Sequence, residues 1–133
     1  MSMTDPIADL LTRIRNASKA KKNAVDIPAS SVKRELVRIL IDNKFLKDMV
    51  ELPDNKQGIL RVYLRYSRAD KPVLKGLERI SRPGLRQYFD AEKIRLSTHN
   101  MRGLIIISTS QGVMTNFDAA HKGVGGEAIC RCW

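Results

Sequence analysis

Apolar residues recur at helical spacing at the start of the chain, where Ile7, Leu10, Leu11 and Ile14 predict an amphipathic helix to about Ala20. Thr4-Asp5-Pro6 reads as an N-cap followed by proline at a first helical position, and Lys19-Ala20-Lys21-Lys22 puts cations where the helix dipole favours them. Val25–Pro28 is short and β-like. Ser30-Ser31 then caps a second helix, with Val32, Leu36, Ile39 and Leu40 as its apolar stripe and Lys33, Arg34 and Arg38 as decoration. Phe45–Leu52 reads as a strand, Pro53–Gly58 as a turn and Gly58–Tyr66 as a second strand. On that strand Leu60, Val62, Leu64 and Tyr66 share one face while Arg61, Tyr63 and Arg65 share the other, so one side packs on helices and the other is wet.

Ser67–Pro72 is polar, contains proline and lacks periodicity, which places a domain boundary there and divides the chain into 1–68 and 73–133. The second part holds Leu77–Ser81, the turn Pro83-Gly84 and a strand around Leu85–Phe89. Leu104–Ile107 is a β-branched run typical of a buried strand, and Ser108-Thr109-Ser110-Gln111-Gly112 follows as a hydroxyl-rich loop. Thr115 and Asp118 sit at capping-box spacing, predicting a short helix to about His121 that stops at Gly123. Val124-Gly125-Gly126 permits close backbone approach, and Glu127–Trp133 reads as a closing strand. The expected fold class is α+β: two small α+β domains, the first α-β-α-β-β and the second mostly antiparallel β with one short helix.

Charge narrows the function. The chain has 133 residues with 24 Lys+Arg against 14 Asp+Glu, a net charge of +10 and a pI near 10.0. Such a chain is drawn to polyanions, and nucleic acid is the leading partner class, with a merely soluble basic domain as the alternative. The cations are unevenly placed. Ser67–Arg102 holds nine Lys/Arg against four Asp/Glu, whereas in Gly103–Trp133 Lys122 and Arg131 are balanced by Asp118 and Glu127. If that neutral stretch recognises anything, it does so through hydroxyls, backbone N–H groups and shape. The same stretch also reads as an ordinary strand-turn-helix with a polar loop. Arg79, Arg82 and Arg86 flank it in sequence, and Tyr88 is either a stacking platform for a base or core. The polar face of the first helix, with Thr12, Arg13, Arg15, Asn16 and Lys19, serves equally as a solvated or a phosphate-binding face.

Other classes fare worse. No apolar run approaches the roughly 20 residues of a spanning helix, so a cytosolic or organelle-interior protein is expected, without a membrane partner. Cys130 and Cys132 point to one face of a strand, which favours reduced thiols, and with His99 and His121 they match no usual zinc spacing, so no metal or cofactor is expected. Gly123–Gly126 is followed by a strand where a phosphate-cradling loop would lead into a helix. Ser108 and Ser110 lack a nucleophile setting, and His121 near Asp118 reads as a helix-end residue, so neither enzyme chemistry nor a small-molecule substrate is expected.

Four stretches also carry a resemblance. S-T-S-x-G-V-M-T at Ser108–Thr115, G-x-G-G-E at Gly123–Glu127, DPIADLLTRIRNA at Asp5–Ala17 and SRPGLR at Ser81–Arg86 together resemble the small-subunit ribosomal protein number eight family of bacteria and organelles. The resemblance implies two small α+β domains that bind the central domain of small-subunit (16S-type) ribosomal RNA and support assembly of the platform. It implies a place in the cytoplasmic or organellar ribosome beside proteins number five and twelve, with repression of a messenger RNA that mimics the ribosomal site as the alternative role. Residue by residue, it assigns minor-groove contacts to Ser108, Thr109, Ser110, Gly112, Gly125, Gly126 and Glu127. It assigns a second surface to Thr4, Asp5, Arg13, Arg15, Asn16, Ser30 and Lys33. Gln111 stands where the family is often basic, Asn116-Phe117 where Asp-Arg is common, and Arg131 where an aromatic is frequent. These departures bear on the charge of the loop tip and on stacking near the C-terminus.

Overall fold

A computed structural model describes residues 5–100 and 102–133. Two compact units divide between Lys75 and Gly76, and Asp5 groups with the second of them.

In the unit Pro6–Lys75 the order is α1 (Pro6–Lys19), β1 (Ala24–Pro28), α2 (Ser31–Asp42), β2 (Leu46–Leu52) and β3 (Ile59–Leu64). The strands form an antiparallel sheet in the order β1-β3-β2. Leu10, Leu11, Ile14 and Ala17 of α1 are buried, as are Leu60, Val62 and Leu64 of β3, in keeping with the two periodicities. Pro6 opens α1, while the expected cap Thr4 lies outside the described residues. Ser30 caps α2 from an extended backbone, its Oγ accepting from Lys33 N at 3.3 Å. Asp54 Oδ1 accepts from Lys56 N and Gly58 N at 2.7 and 2.8 Å, which closes the β2–β3 hairpin at a glycine with φ +94°.

The stripe of α2 differs from the expected one. Val32 is 37% exposed and Lys33 only 6%, because the buried face is set by Leu36, Val37 and Leu40 and the position one turn before Val37 is Lys33. Lys33 lays its stem along this face, and its Nζ donates to Pro28 O at 3.0 Å. The polar stretch 67–72 also has structure: Ser67 N donates to Lys71 O, Val73 N donates to Arg65 O, and Leu74 is buried.

The second unit comprises β4 (Leu77–Arg79), β5 (Tyr88–Phe89), α3 (Ala91–Asn100), β6 (Leu104–Thr109), β7 (Gly112–Thr115), α4 (Asn116–Lys122) and β8 (Gly126–Cys132). The sheet runs β4-β8-β6-β7, with β5 also paired to β8, and every pairing is antiparallel. The expected closing strand β8 is thus the centre of the sheet. Its register with β6 slips between Ile106, opposite Cys130, and Ile107, opposite Ala128, so Ile129 is the extra residue of a bulge. That slip is why Ala128, Ile129 and Cys130 are buried in succession. Ile94, Ile105, Ile107, Met114, Ala119 and Ala128 form the core on the helix-covered face. Burial pushes the free Cys130 thiol up to about 12 and raises the Cys132 thiol as well.

Thr115 caps α4 by accepting from Asp118 N at 3.1 Å, and Gly123 ends it with φ +69°, as the spacing predicts. Two elements go beyond the expected pattern. The unit has two helices where one is expected, since α3 buries only Ile94 and leaves Leu96 exposed, too little apolar periodicity to register in the sequence. Asp90 starts that helix by accepting from Lys93 N at 2.8 Å. Gly112–Thr115 is a strand paired to β6, whereas the strand expected from Leu85 shrinks to Tyr88–Phe89 behind a tight Arg82–Leu85 bridge.

Asn116 joins these parts. Fully buried, it accepts from Ile105 N through Oδ1 at 3.1 Å and donates through Nδ2 to Ser97 Oγ at 3.0 Å, linking β6, α3 and α4. Asn116→Ala leaves a buried N–H unpaired and should cost about 1–3 kcal/mol of stability. Urea denaturation should show a lower midpoint at unchanged slope, while Gln111→Ala at the exposed turn should stay within about 0.5 kcal/mol of wild type.

Candidate nucleic-acid interface

The hydroxyl stretch lies at one end of the second sheet. β6 runs through Ser108 and Thr109, Thr109 pairs with Gly112, and only Ser110 and Gln111 form the turn. Ser108 and Thr109 are therefore strand residues, not loop residues. Ser108 pairs with Val113 on one side and Glu127 on the other, and Glu127 pairs in turn with Tyr88. Directly opposed residues of antiparallel strands project to the same side, so Tyr88, Glu127, Ser108 and Val113 form a row across four strands. That row lies on the face away from Ile105 and Ile107.

Two glycines allow this packing. A Cβ on Gly126 would come within 2.2 Å of Ser108 O, and one on Gly125 within 2.7 Å of Phe89 O. Both are required by the chain's own backbone before any ligand is considered. Gly112 has φ +114° and open space where its Cβ would be. The hydroxyls differ in availability: Thr109 Oγ1 accepts from Gln111 N at 3.0 Å and donates to Gly112 O at 2.8 Å, which commits it to the turn. Ser110 is exposed and Ser108 half-buried.

Glu127 holds the neighbouring segment. Its Oε2 accepts from Ser81 Oγ at 2.5 Å and Arg86 Nη1 at 2.9 Å, while fully buried Ser81 accepts from Gln87 N at 3.1 Å. Burial alone would raise the Glu127 pKa, but the hydrogen bonds from Ser81 and Arg86 outweigh it and hold the carboxyl below its ordinary value. Glu127 thus positions residues 81–87 against β8. Beyond that anchor Arg82 is exposed, Tyr88 is 70% exposed and Leu85 64% exposed. Tyr88 is a projecting ring, and Phe89 is the aromatic that packs against the core. The role of Ser81 was not visible in the sequence, because a serine beside Pro83-Gly84 looks like any turn residue.

The second set of residues is not brought together as a whole. Asp5 pairs with Arg79, Nε to Oδ2 at 3.2 Å, and Arg79 Nη1 donates to Ile129 O at 2.8 Å, so both belong to the interior of the second unit. Lys33 is buried and bonded to Pro28, so it does not present its charge, and Ser30 uses its oxygen as a helix cap. Thr4 lies outside the described residues. Arg13, Arg15 and Asn16 remain together on the exposed side of α1. Arg13 bonds Asp9 at 2.9 Å and Asp26 O at 3.3 Å, and with Asn16 and Lys22 it borders a cleft of about 330 Å³.

Three exposed donor types, hydroxyl, guanidinium and phenol, thus surround a sheet end of little net charge. Such a surface can bond ribose and base edges while the cations beside it attract phosphates. Among the described residues no three His, Cys, Asp or Glu side chains group as metal ligands, and no helix is long and apolar enough to cross a membrane. Arg131 stands with its guanidinium carbon 4.6 Å from the centre of the Trp133 ring, so stacking near the C-terminus is internal.

Because the folded pKa of Glu127 is lowered, its stabilising contribution is present above the ordinary value of 4.5 and is lost as pH falls through the folded value. Glu127→Gln should therefore cost about 1–2 kcal/mol near neutral pH. The gap to wild type should narrow in unfolding curves recorded at successively lower pH below that ordinary value.

The family model described as Ribosomal protein S8 matches residues 5–133. Proteins named small ribosomal subunit protein uS8 from Geobacter metallireducens and Lactobacillus johnsonii are each 50% identical over 133 residues, and that of Geobacillus kaustophilus is 47% identical, each match covering all of both chains. The family is one of structural ribosomal proteins and not of enzymes. With its matched residues spanning both compact units, the chain belongs to the ribosomal protein S8 family.

Proposed function

We propose that this protein is a primary RNA-binding constituent of the small ribosomal subunit, which holds the central domain of 16S-type ribosomal RNA and so supports assembly of the platform. The observation that carries this reading is the row Tyr88–Glu127–Ser108 beside the exposed Ser110 and Arg82, a nearly neutral sheet end in a chain of net charge +10. Ser108, Ser110 and the backbone around Gly112, Gly125 and Gly126 read the groove of an irregular helix. Arg82 and Arg86 supply phosphate attraction, and Tyr88 offers a face for stacking. Thr109 and Glu127 act by shaping the site. Arg13, Arg15 and Asn16 on α1 form the second, weaker surface.

The same surface would accept a messenger RNA that presents the same groove, which is the repressor role. Ribosomal proteins number five and twelve are the protein neighbours in this reading, and the cytoplasmic ribosome is its location.

Three variants test the reading. Ser110→Ala removes one exposed hydroxyl and should weaken binding to a central-domain rRNA fragment by about 1–3 kcal/mol while leaving the melting temperature and the affinity for a generic duplex nearly unchanged. Equal losses on both RNAs would contradict it. Arg82→Gln should reduce the slope of log K against log salt by up to about one unit. Lys33→Met, whose wild-type ammonium is already bonded to Pro28 O, should leave that slope unchanged. Fluorescence anisotropy across a salt series measures all three.

A further inference from the structure

The opposite face of the second sheet carries a feature that plays no part in the RNA reading proposed above. Between α3 and strands β4, β6 and β8 lies an open groove of about 390 Å³, floored by Ile80, Phe89 and Ile105 and walled by Leu96, Lys93 and Arg131. Leu96, 51% exposed, stands at the edge of this groove and extends its apolar lining to the surface. Arg131 Nε is buried and has no hydrogen-bond partner among the described residues. The Arg131 guanidinium carbon stacks 4.6 Å from the centre of the Trp133 ring, which occupies the flat face of the group and makes no hydrogen bond to its in-plane Nε. Lys93 Nζ lies 4.2 Å from the centre of the Phe89 ring, a second cation at the same groove.

We propose that this groove is a docking site for a peptide segment of a neighbouring ribosomal protein, which inserts an apolar side chain between α3 and the sheet and brings a carboxylate to Arg131 and Lys93. The occupant follows from complementarity. An apolar floor rewards a hydrophobic side chain, and two cations against the one carboxylate of Glu78 leave an excess positive charge that rewards an adjacent Asp or Glu. RNA suits the groove poorly: its backbone brings a charge with every nucleotide and would lose hydration over Ile80, Phe89 and Ile105, and because Glu78, opposite Arg131 on β4, offsets one of the two cations, the groove has charge enough for a single carboxylate and too little for a run of phosphates. The sheet would then divide its faces between two partners, RNA at the Ser108 row and protein under α3.

This rests on the chain's place in the small subunit, and the test separates the two. Leu96 is replaced by the photo-crosslinker p-benzoylphenylalanine in cells whose small subunits carry only that variant, and purified subunits are irradiated and digested for mass spectrometry. The expected result is a crosslink to one ribosomal protein, at an apolar residue flanked by Asp or Glu. The crosslink yield should fall several-fold when Lys93→Met, an exposed change that spares the core, is added, and likewise with Arg131→Met. Crosslinks to rRNA, to a second copy of this chain or to a segment without an acidic residue overturn the docking site, as does absence of any crosslink from a chain that is present in the subunit. A chain absent from the small-subunit fraction overturns the proposed function and the docking site with it.

Discussion

At Gly126 the backbone of β8 passes so close to β6 that a Cβ would sit 2.2 Å from the carbonyl oxygen of Ser108. Much of the second unit depends on that approach. It lets Ser108 pair with Glu127, and Glu127 in turn holds Ser81 and Arg86 and, through Ser81, the amide of Gln87. The basic segment 82–88 is thereby fastened beside the hydroxyls of β6. A side chain at position 126 would part the two strands and dissolve the site.

The electrostatics of the site follow from that anchoring. Glu127 takes up part of the charge of Arg86 and leaves the sheet end close to neutral, so in the proposed reading Arg82 and the exposed cations elsewhere on the chain supply most of the long-range attraction. A strongly basic sheet end would hold any RNA tightly. One built from hydroxyls and close backbone rewards a groove of matching shape. The division of labour within the α3-bearing sheet extends this logic: the row at Ser108 is polar and open, whereas the groove under Leu96 is apolar and cationic.

The parts legible in the sequence were those governed by local rules. The alternation of Leu60, Val62 and Leu64 marked β3, and Ser30, Thr115 and Gly123 marked helix ends through hydrogen bonds that span three or four residues. What escaped depended on distance or on sparse signal. The pairing of Asp5 with Arg79 joins residues 74 positions apart, and no spacing rule reaches that far. Lys33 and Val32 exchange burial because a one-residue rotation of a helical stripe is invisible until the facing elements are known. α3 offers only Ile94 to the core, and the extension of β6 through Ser108 and Thr109 is hidden because hydroxyl residues suit strands and turns alike. In the candidate site the motif was visible while its internal commitments, Thr109 to the turn and Glu127 to Ser81 and Arg86, were not.

Amide hydrogen exchange of the whole chain, free and bound to a central-domain rRNA fragment, is the most direct test that recognition resides at this sheet end. The result expected is slowed exchange at Ser108–Gly112, Gly125–Glu127 and Tyr88, with a smaller effect at Arg13–Asn16 and none at Lys93–Ser97. Protection confined to α1, or spread evenly over the exposed cations with the Ser108 row unchanged, would contradict it.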